Sequence, residues 1–145
     1  VLNKIHLGKL VYVMIGVKQI FAKKTVRAKL YLDDAPVMKL PELFFVVGMN
    51  HMYEGGGIPF CPNADPTDGK LDVCLVKGMS RLKLLFAVVL VYFKKHLLFK
   101  DITNHRCEKM RLVTETPQWI HMDGETPYQV SEVTWESKGK LRFVR

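Results

Sequence analysis

Three short stretches of this sequence hold residues whose types and spacing could do chemistry. Residues 62–73, PNADPTDGKLDV, place Asp65, Asp68 and Asp72 around an Asp68-Gly69 turn. Carboxylates and exposed carbonyls in a tight turn suit a hard cation such as Mg²⁺ or Ca²⁺. The acidic spacing is not that of an EF-hand, and no glutamate stands at the twelfth position. An Asp-Gly pair can also be a turn and nothing more. In the second stretch, His121-Met122-Asp123-Gly124-Glu125, Asp-Gly between strands signals a hairpin. Glu125, beside a glycine, could accept a proton from an attacking hydroxyl that lies within hydrogen-bond reach. The third stretch is Gly55-Gly56-Gly57. Glycines allow positive φ and close approach of backbone to a ligand. No G-K-[ST] follows, so this is not a Walker A loop, nor is it G-x-G-x-x-G after a strand.

Other reactive side chains carry less. Cys61, Cys74 and Cys107 are odd in number and lack C-x-x-C spacing, so neither a disulfide framework nor a zinc site is expected. They read as free thiols in a reducing cytoplasm. His51, His105 and His121 lack metal-ligand spacing. The net charge of +8 favours anionic partners such as nucleic acid, lipid headgroups or phosphorylated substrates. The basic residues are dispersed, and no aromatic-and-basic RNA signature is present, so no nucleic-acid partner is expected.

The elements that must position these stretches read as mainly β with two helices. Leu10, Val13, Met14, Val17, Ile20 and Phe21 recur at helical spacing. Val26, Ala28, Leu30 and Leu32 alternate with Arg27, Lys29 and Tyr31, the period of a strand. Asp33-Asp34-Ala35-Pro36 turns the chain. The apolar run 43–47 predicts a strand buried on both faces, and 71–76 a further short strand. Residues 50–69 between them form a long loop, which in a compact domain is usually functional. Ser80 is placed to cap a helix from 81 to about 98. Its centre, 84–93, is apolar on every side, which suits burial between layers or against another domain. Contact with lipid is the alternative, since Lys83, Lys94 and Lys95 flank that centre. Strands follow at about 106–114, 119–122, 130–135 and 141–144. Turns fall at Thr116-Pro117, Asp123-Gly124 and Lys138-Gly139. This predicts an antiparallel sandwich in a single domain over residues 1–145. No internal repeat or low-complexity tract is visible. The chain opens on Val1 and shows no signal peptide, so it is expected to be a piece of a longer protein.

Taken in order, these pieces resemble a known family. Val46-Val47-Gly48-Met49-Asn50 leads into Gly55-Gly56-Gly57. Pro62, Ala64, Asp68-Gly69 and Leu71-Asp72-Val73 follow, and Asp123-Gly124-Glu125 comes about fifty residues later. The chain resembles the C-terminal domain of the diacylglycerol kinase catalytic family, which includes bacterial soluble lipid kinases and sphingosine kinases. The resemblance implies a β-sandwich packed against an α/β nucleotide-binding domain. It implies transfer of the ATP γ-phosphoryl group to a lipid hydroxyl, such as that of diacylglycerol or a sphingoid base. Glu125 would be the proton acceptor. Asp68 would help hold Mg²⁺, with Asp65 and the Lys70 carbonyl completing that site. The family's Gly-Gly-Asp-Gly-Thr motif is absent here. ATP would therefore bind mainly through the missing N-terminal domain, and this piece alone is expected to be inactive. A cytoplasmic enzyme visiting membranes peripherally is the expected setting, and open edge strands make a homodimer conceivable. The competing reading is a non-catalytic β-sandwich that binds lipid or an anion.

Overall fold

The computed structural model describes residues 18, 20–22, 24–54, 57–122 and 128–138. Six strands dominate it: β1 (Val26–Leu32), β2 (Met38–Met49), β3 (Leu71–Lys77), β4 (Ile102–Cys107), β5 (Lys109–Trp119) and β6 (Gln129–Glu136). They form one sheet in the order β4-β3-β2-β1-β5-β6, and every neighbouring pair is antiparallel. One α-helix, α1 (Arg81–Tyr92), and a 3-10 turn (His96–Leu98) connect β3 to β4. Lys18, Ile20 and Phe21 are helical and end the first expected helix, whose remainder lies outside the described residues. Ile20 is buried as its spacing predicts, whereas Phe21 is exposed.

Alternation in the strands builds two cores. Ala28, Leu30, Leu32, Leu40, Leu43, Val73, Leu75, Cys107, Met110 and Leu112 form the first, and all of them come from strands. The second lies on the opposite face. Cys74 and Val76 of β3 meet Leu84 and Ala87 of α1, with Met49, Cys61 and Ile102 around them. β3 is therefore the strand buried on both faces, with residues 72–76 all buried. That property was expected of 43–47, but Phe45 there is exposed.

Several boundaries differ from the sequence reading, each for a local reason. β2 begins at Met38 and passes through Pro41, although it lies between β1 and β3. Val26 pairs with Leu43 while Ala28 pairs with Leu40, so the register shifts around Pro41. Such a bulge is where an interior strand tolerates a residue without an N–H. α1 ends at Tyr92 rather than near 98. Lys95 N–H donates to the Leu90 carbonyl and Lys94 N–H to that of Val91, with Lys94 at φ 59°. That is a Schellman stop with lysine where glycine is usual. The sequence reading missed most of β4 because its middle, Thr103-Asn104-His105, is polar. As an edge strand it is buried only at Ile102 and Cys107. Thr116-Pro117 does not turn the chain. It lies inside β5, where the pairing with β6 shifts between Val113 and Gln118. The expected strand at 141–144 and the turn glycine Gly139 lie outside the described residues.

Candidate functional site

Strand register brings the acidic loop before β3 and the end of β5 to the same end of the sheet. Met49, closing β2, pairs with Asp72 near the start of β3, and Leu71 pairs with Cys107 at the end of β4. Val26 pairs with Leu43 and Ala28 with Thr114, so β5 runs toward the end that Met49 marks. Trp119 then pairs with Gln129 at the start of β6. The loop after β2 and the connection after β5 thus leave the sheet at a common end. Asp123, Gly124 and Glu125 themselves lie outside the described residues, as do Gly55 and Gly56.

The acidic loop is held by its own carboxylates. Asp65 Oδ1 accepts from Thr67 N–H at 2.8 Å and from the Thr67 hydroxyl at 2.6 Å. Asp68 Oδ1 accepts from Lys70 N–H at 2.8 Å, across Gly69 at φ 75°. Here the turn requires glycine, because that φ is left-handed. Arg106 of β4 ties the loop to the sheet. Its guanidinium lies 3.4 Å from Asp68 Oδ2 and 3.3 Å from Asp72 Oδ1, and it donates to the Asn63 carbonyl at 2.8 Å. Asp72 is buried, and its Oδ2 finds no hydrogen-bond partner. Sequence reasoning missed Arg106, because nothing in its spacing links it to residues more than thirty positions earlier.

The hairpin stem meets the glycine loop. Glu54 and Ile58 exchange backbone hydrogen bonds at 2.9 and 3.0 Å, with Gly57 at φ 85° closing the turn. Glu54 Oε1 lies 3.7 Å from His121 Nδ1, two residues before Asp123. Beside this contact is an apolar cavity of about 660 Å³. Ile58 and Phe60 line it from the loop, Gln118 and Trp119 from β5, and Val88 and Val91 from α1. The Phe60 carbonyl is fixed by Asn104 Nδ2 at 3.3 Å and by His96 Nε2 at 3.0 Å. His96 is buried, and burial holds its pKa below the usual value despite the bond to Phe60. Gly48 admits Met110, whose Cε would stand 3.1 Å from an added Cβ.

The cysteines are poor candidates for nucleophiles. All three are free and buried. Burial pushes Cys61 and Cys74 up to about 12 and Cys107 up to about 11. A thiol acts as a nucleophile through its thiolate, which burial disfavours here.

Residues 2–138 match the family described as the YegS C-terminal NAD kinase beta sandwich-like domain. The chain belongs to that family. "Putative lipid kinase YtlR" of Bacillus subtilis (strain 168) is 28% identical over 94 residues, 62% of this chain and 30% of that protein. The diacylglycerol kinase of Mycobacterium tuberculosis (strain ATCC 25618 / H37Rv) is 31% identical over 84 residues, 54% of this chain and 26% of that protein. Among solved structures, a "putative diacylglycerol kinase" from Bacillus anthracis str. Sterne superposes with a TM-score of 0.64 at 24% identity. The match covers 96% of this chain and 48% of that one, and at such identity it speaks for the fold. This YegS-type domain thus spans under a third of the curated relatives' length and about half of the solved chain.

The YegS-type domain offers a cation a limited donor set. Among the described residues no group of three or more His, Cys, Asp or Glu side chains is close enough to hold a metal ion. Asp65 and Asp68 each commit Oδ1 to a turn, and Asp68 Oδ2 faces Arg106. Those residues fit Mg²⁺ only in the mode of one or two carboxylates completed by main-chain oxygens and water.

Proposed function

We propose that the full-length protein containing this chain is a lipid kinase, which transfers the γ-phosphoryl group of ATP to a lipid hydroxyl such as that of diacylglycerol. The apolar cavity carries this reading. It has room for part of an acyl chain, and Gln118 and Trp119 in its wall lie just before the hairpin that bears Glu125. A lipid whose chain fills that space would present its polar end toward the hairpin and the glycine loop. Ligand sites are commonly apolar concavities with a few convergent polar groups at the mouth.

In this reading the Glu125 carboxylate accepts the proton of the lipid hydroxyl as its oxygen bonds to the γ-phosphorus and the bond to the β-γ bridging oxygen breaks. Asp68, with Asp65 and the Lys70 carbonyl, would hold Mg²⁺. When bound there, the ion would supply positive charge beside the phosphates. ATP would be bound mainly by the part of the full-length protein beyond this chain. Phosphoryl transfer depends on positioning and electrostatics, so this domain alone should not turn over.

The test is full-length protein with ATP, Mg²⁺ and a panel of lipid alcohols, read as labelled phospholipid. Diacylglycerol is expected to be phosphorylated, and Glu125→Gln to lose turnover while melting as the parent does. Parental turnover in that variant would remove Glu125 from the mechanism.

A further inference from the structure

Arg106 is shared between two carboxylates and seats fully on neither. Its Nη1 lies 3.4 Å from Asp68 Oδ2, while Nε and Nη2 both lie 3.3 Å from Asp72 Oδ1. A guanidinium seated on one carboxylate makes two parallel bonds, one to each oxygen, at about 2.7–2.9 Å. Here the fork meets a single oxygen of Asp72, and these carboxylate contacts are all longer than that range. The bond from Nη2 to the Asn63 carbonyl, at 2.8 Å, is the short one.

The second oxygen of Asp72 is unused. Asp72 is 5% exposed, and its Oδ2 finds no hydrogen-bond partner. A buried acceptor left unpaired is costly and calls for an explanation. It belongs to the same carboxylate that Arg106 already touches, so a small rotation of the guanidinium would complete the two parallel bonds. Asp68 is different. Its side chain is partly exposed, its Oδ1 closes the turn onto Lys70 N–H, and its Oδ2 faces Arg106. One guanidinium against these two carboxylates leaves a net negative charge where loop and sheet meet.

We propose that Arg106 and Mg²⁺ are alternative partners of Asp68, exchanged through Asp72. Without the ion, the guanidinium neutralises Asp68 and ties the acidic loop to β4. Once Asp68 is given to Mg²⁺, the guanidinium moves onto both oxygens of Asp72. Its bond to the Asn63 carbonyl holds the loop on the sheet in both states. A charge displaced from one carboxylate needs another partner, and buried Asp72 supplies it. Arg106 is then a positioning residue that sets how much Mg²⁺ the loop requires. The inference rests on the reading that Asp68 holds Mg²⁺, and deepens it by naming what neutralises Asp68 before the ion does.

The experiment follows the melting temperature of full-length protein as Mg²⁺ is raised, without ATP or lipid, and reads the concentration at half-maximal rise. Mg²⁺ is expected to stabilise the parent. Arg106→Met removes the competing cation and should lower that concentration about five-fold or more, the scale of coupling between linked sites. Asp72→Asn removes the acceptor of the displaced guanidinium and should raise it about five-fold. In the Arg106→Met background, Asp72→Asn should change it by less than about two-fold, since no guanidinium remains to be received. Arg106→Lys keeps a cation beside buried Asp72, which protects the fold, and should lower the concentration by a smaller factor. An unchanged or higher requirement in both Arg106 variants overturns the inference. So does an Asp72→Asn effect that persists without Arg106, because the carboxylate then acts on the ion directly. If Mg²⁺ stabilises Arg106→Met and not the parent, the guanidinium is a fixed substitute for the ion, and the exchange is again overturned. Lipid turnover separates the two proposals. Exchange without phosphorylation of any lipid alcohol counts against the kinase reading alone, and phosphorylation without exchange counts against this inference alone.

Discussion

The acidic loop and the hairpin stem sit at the same end of the sheet but are built in opposite ways. In the loop several polar groups are committed to holding the chain. Asp65 and Asp68 close turns, Arg106 joins Asp68, Asp72 and Asn63, and the Phe60 carbonyl takes His96 and Asn104. The described part of the hairpin is held by exposed or partly exposed charges: His121 lies 3.7 Å from Glu54 just past the end of β5, and Arg111 lies 2.7 Å from Glu132 farther along the strands. A loop held this way is a fixed wall. The proposed proton acceptor, Glu125, belongs in sequence to the hairpin side. Changes in the loop should therefore register in stability, with turnover affected as well where they touch the proposed Mg²⁺ site, and changes in the hairpin chiefly in turnover.

The largest contrast is expected from Glu125→Gln, which should lower turnover of the full-length protein by roughly a hundred-fold or more with little change in melting, the usual scale for general-base catalysis. A comparable loss of melting temperature would place Glu125 with the structural carboxylates. Next comes Arg106→Met, which leaves the buried Asp72 carboxylate without its guanidinium. Asp72 is buried but the Arg106 side chain is 43% exposed, so the cost should be that of leaving a buried acceptor unpaired, about 1–3 kcal/mol, readable as a shift in the urea midpoint. An unchanged midpoint would show that the loop does not depend on Arg106.

His96 adds a pH dependence. Burial lowers its folded pKa below 6.5, so between the two values the unfolded chain binds the extra proton. Stability from this group is complete above 6.5 and falls as acidification proceeds toward the lower folded value. Urea midpoints measured at decreasing pH should decline in that window. His96→Gln should start lower but decline less steeply.

Smaller still is Gly69→Ala, which forces a side chain to φ 75° and should cost about 1–2 kcal/mol. His121→Ala closes the series. Its contact with Glu54 is partly exposed, so stability should move by less than about 1 kcal/mol. A larger loss of stability would erase the contrast between the two regions.

Much of this was legible in the residues themselves. The alternation of Val26, Ala28, Leu30 and Leu32 with Arg27, Lys29 and Tyr31 predicted which side of β1 faces the core. Asp68-Gly69 predicted its turn, because a left-handed residue calls for glycine. Periodicity failed where apolar content and position in the sheet parted company. Edge strand β4 is polar along its middle, β2 carries Pro41 at a bulge, and the apolar stretch that reaches Leu98 hid the end of α1 at Tyr92.

From the sequence alone come the class of fold, the acidic turn and the ordered motifs that point to the family, all of which depend on neighbours along the chain or on a preserved order. Only the tertiary structure decided that the acidic loop and the end of β5 lie at one end of the sheet, that Arg106 secures Asp68 and Asp72, and that His121 reaches Glu54. It also decided that α1 turns one apolar face to a cavity and leaves the other bare. Both kinds of fact depend on strand register and packing between residues far apart in sequence, and composition along the chain carries no record of those distances.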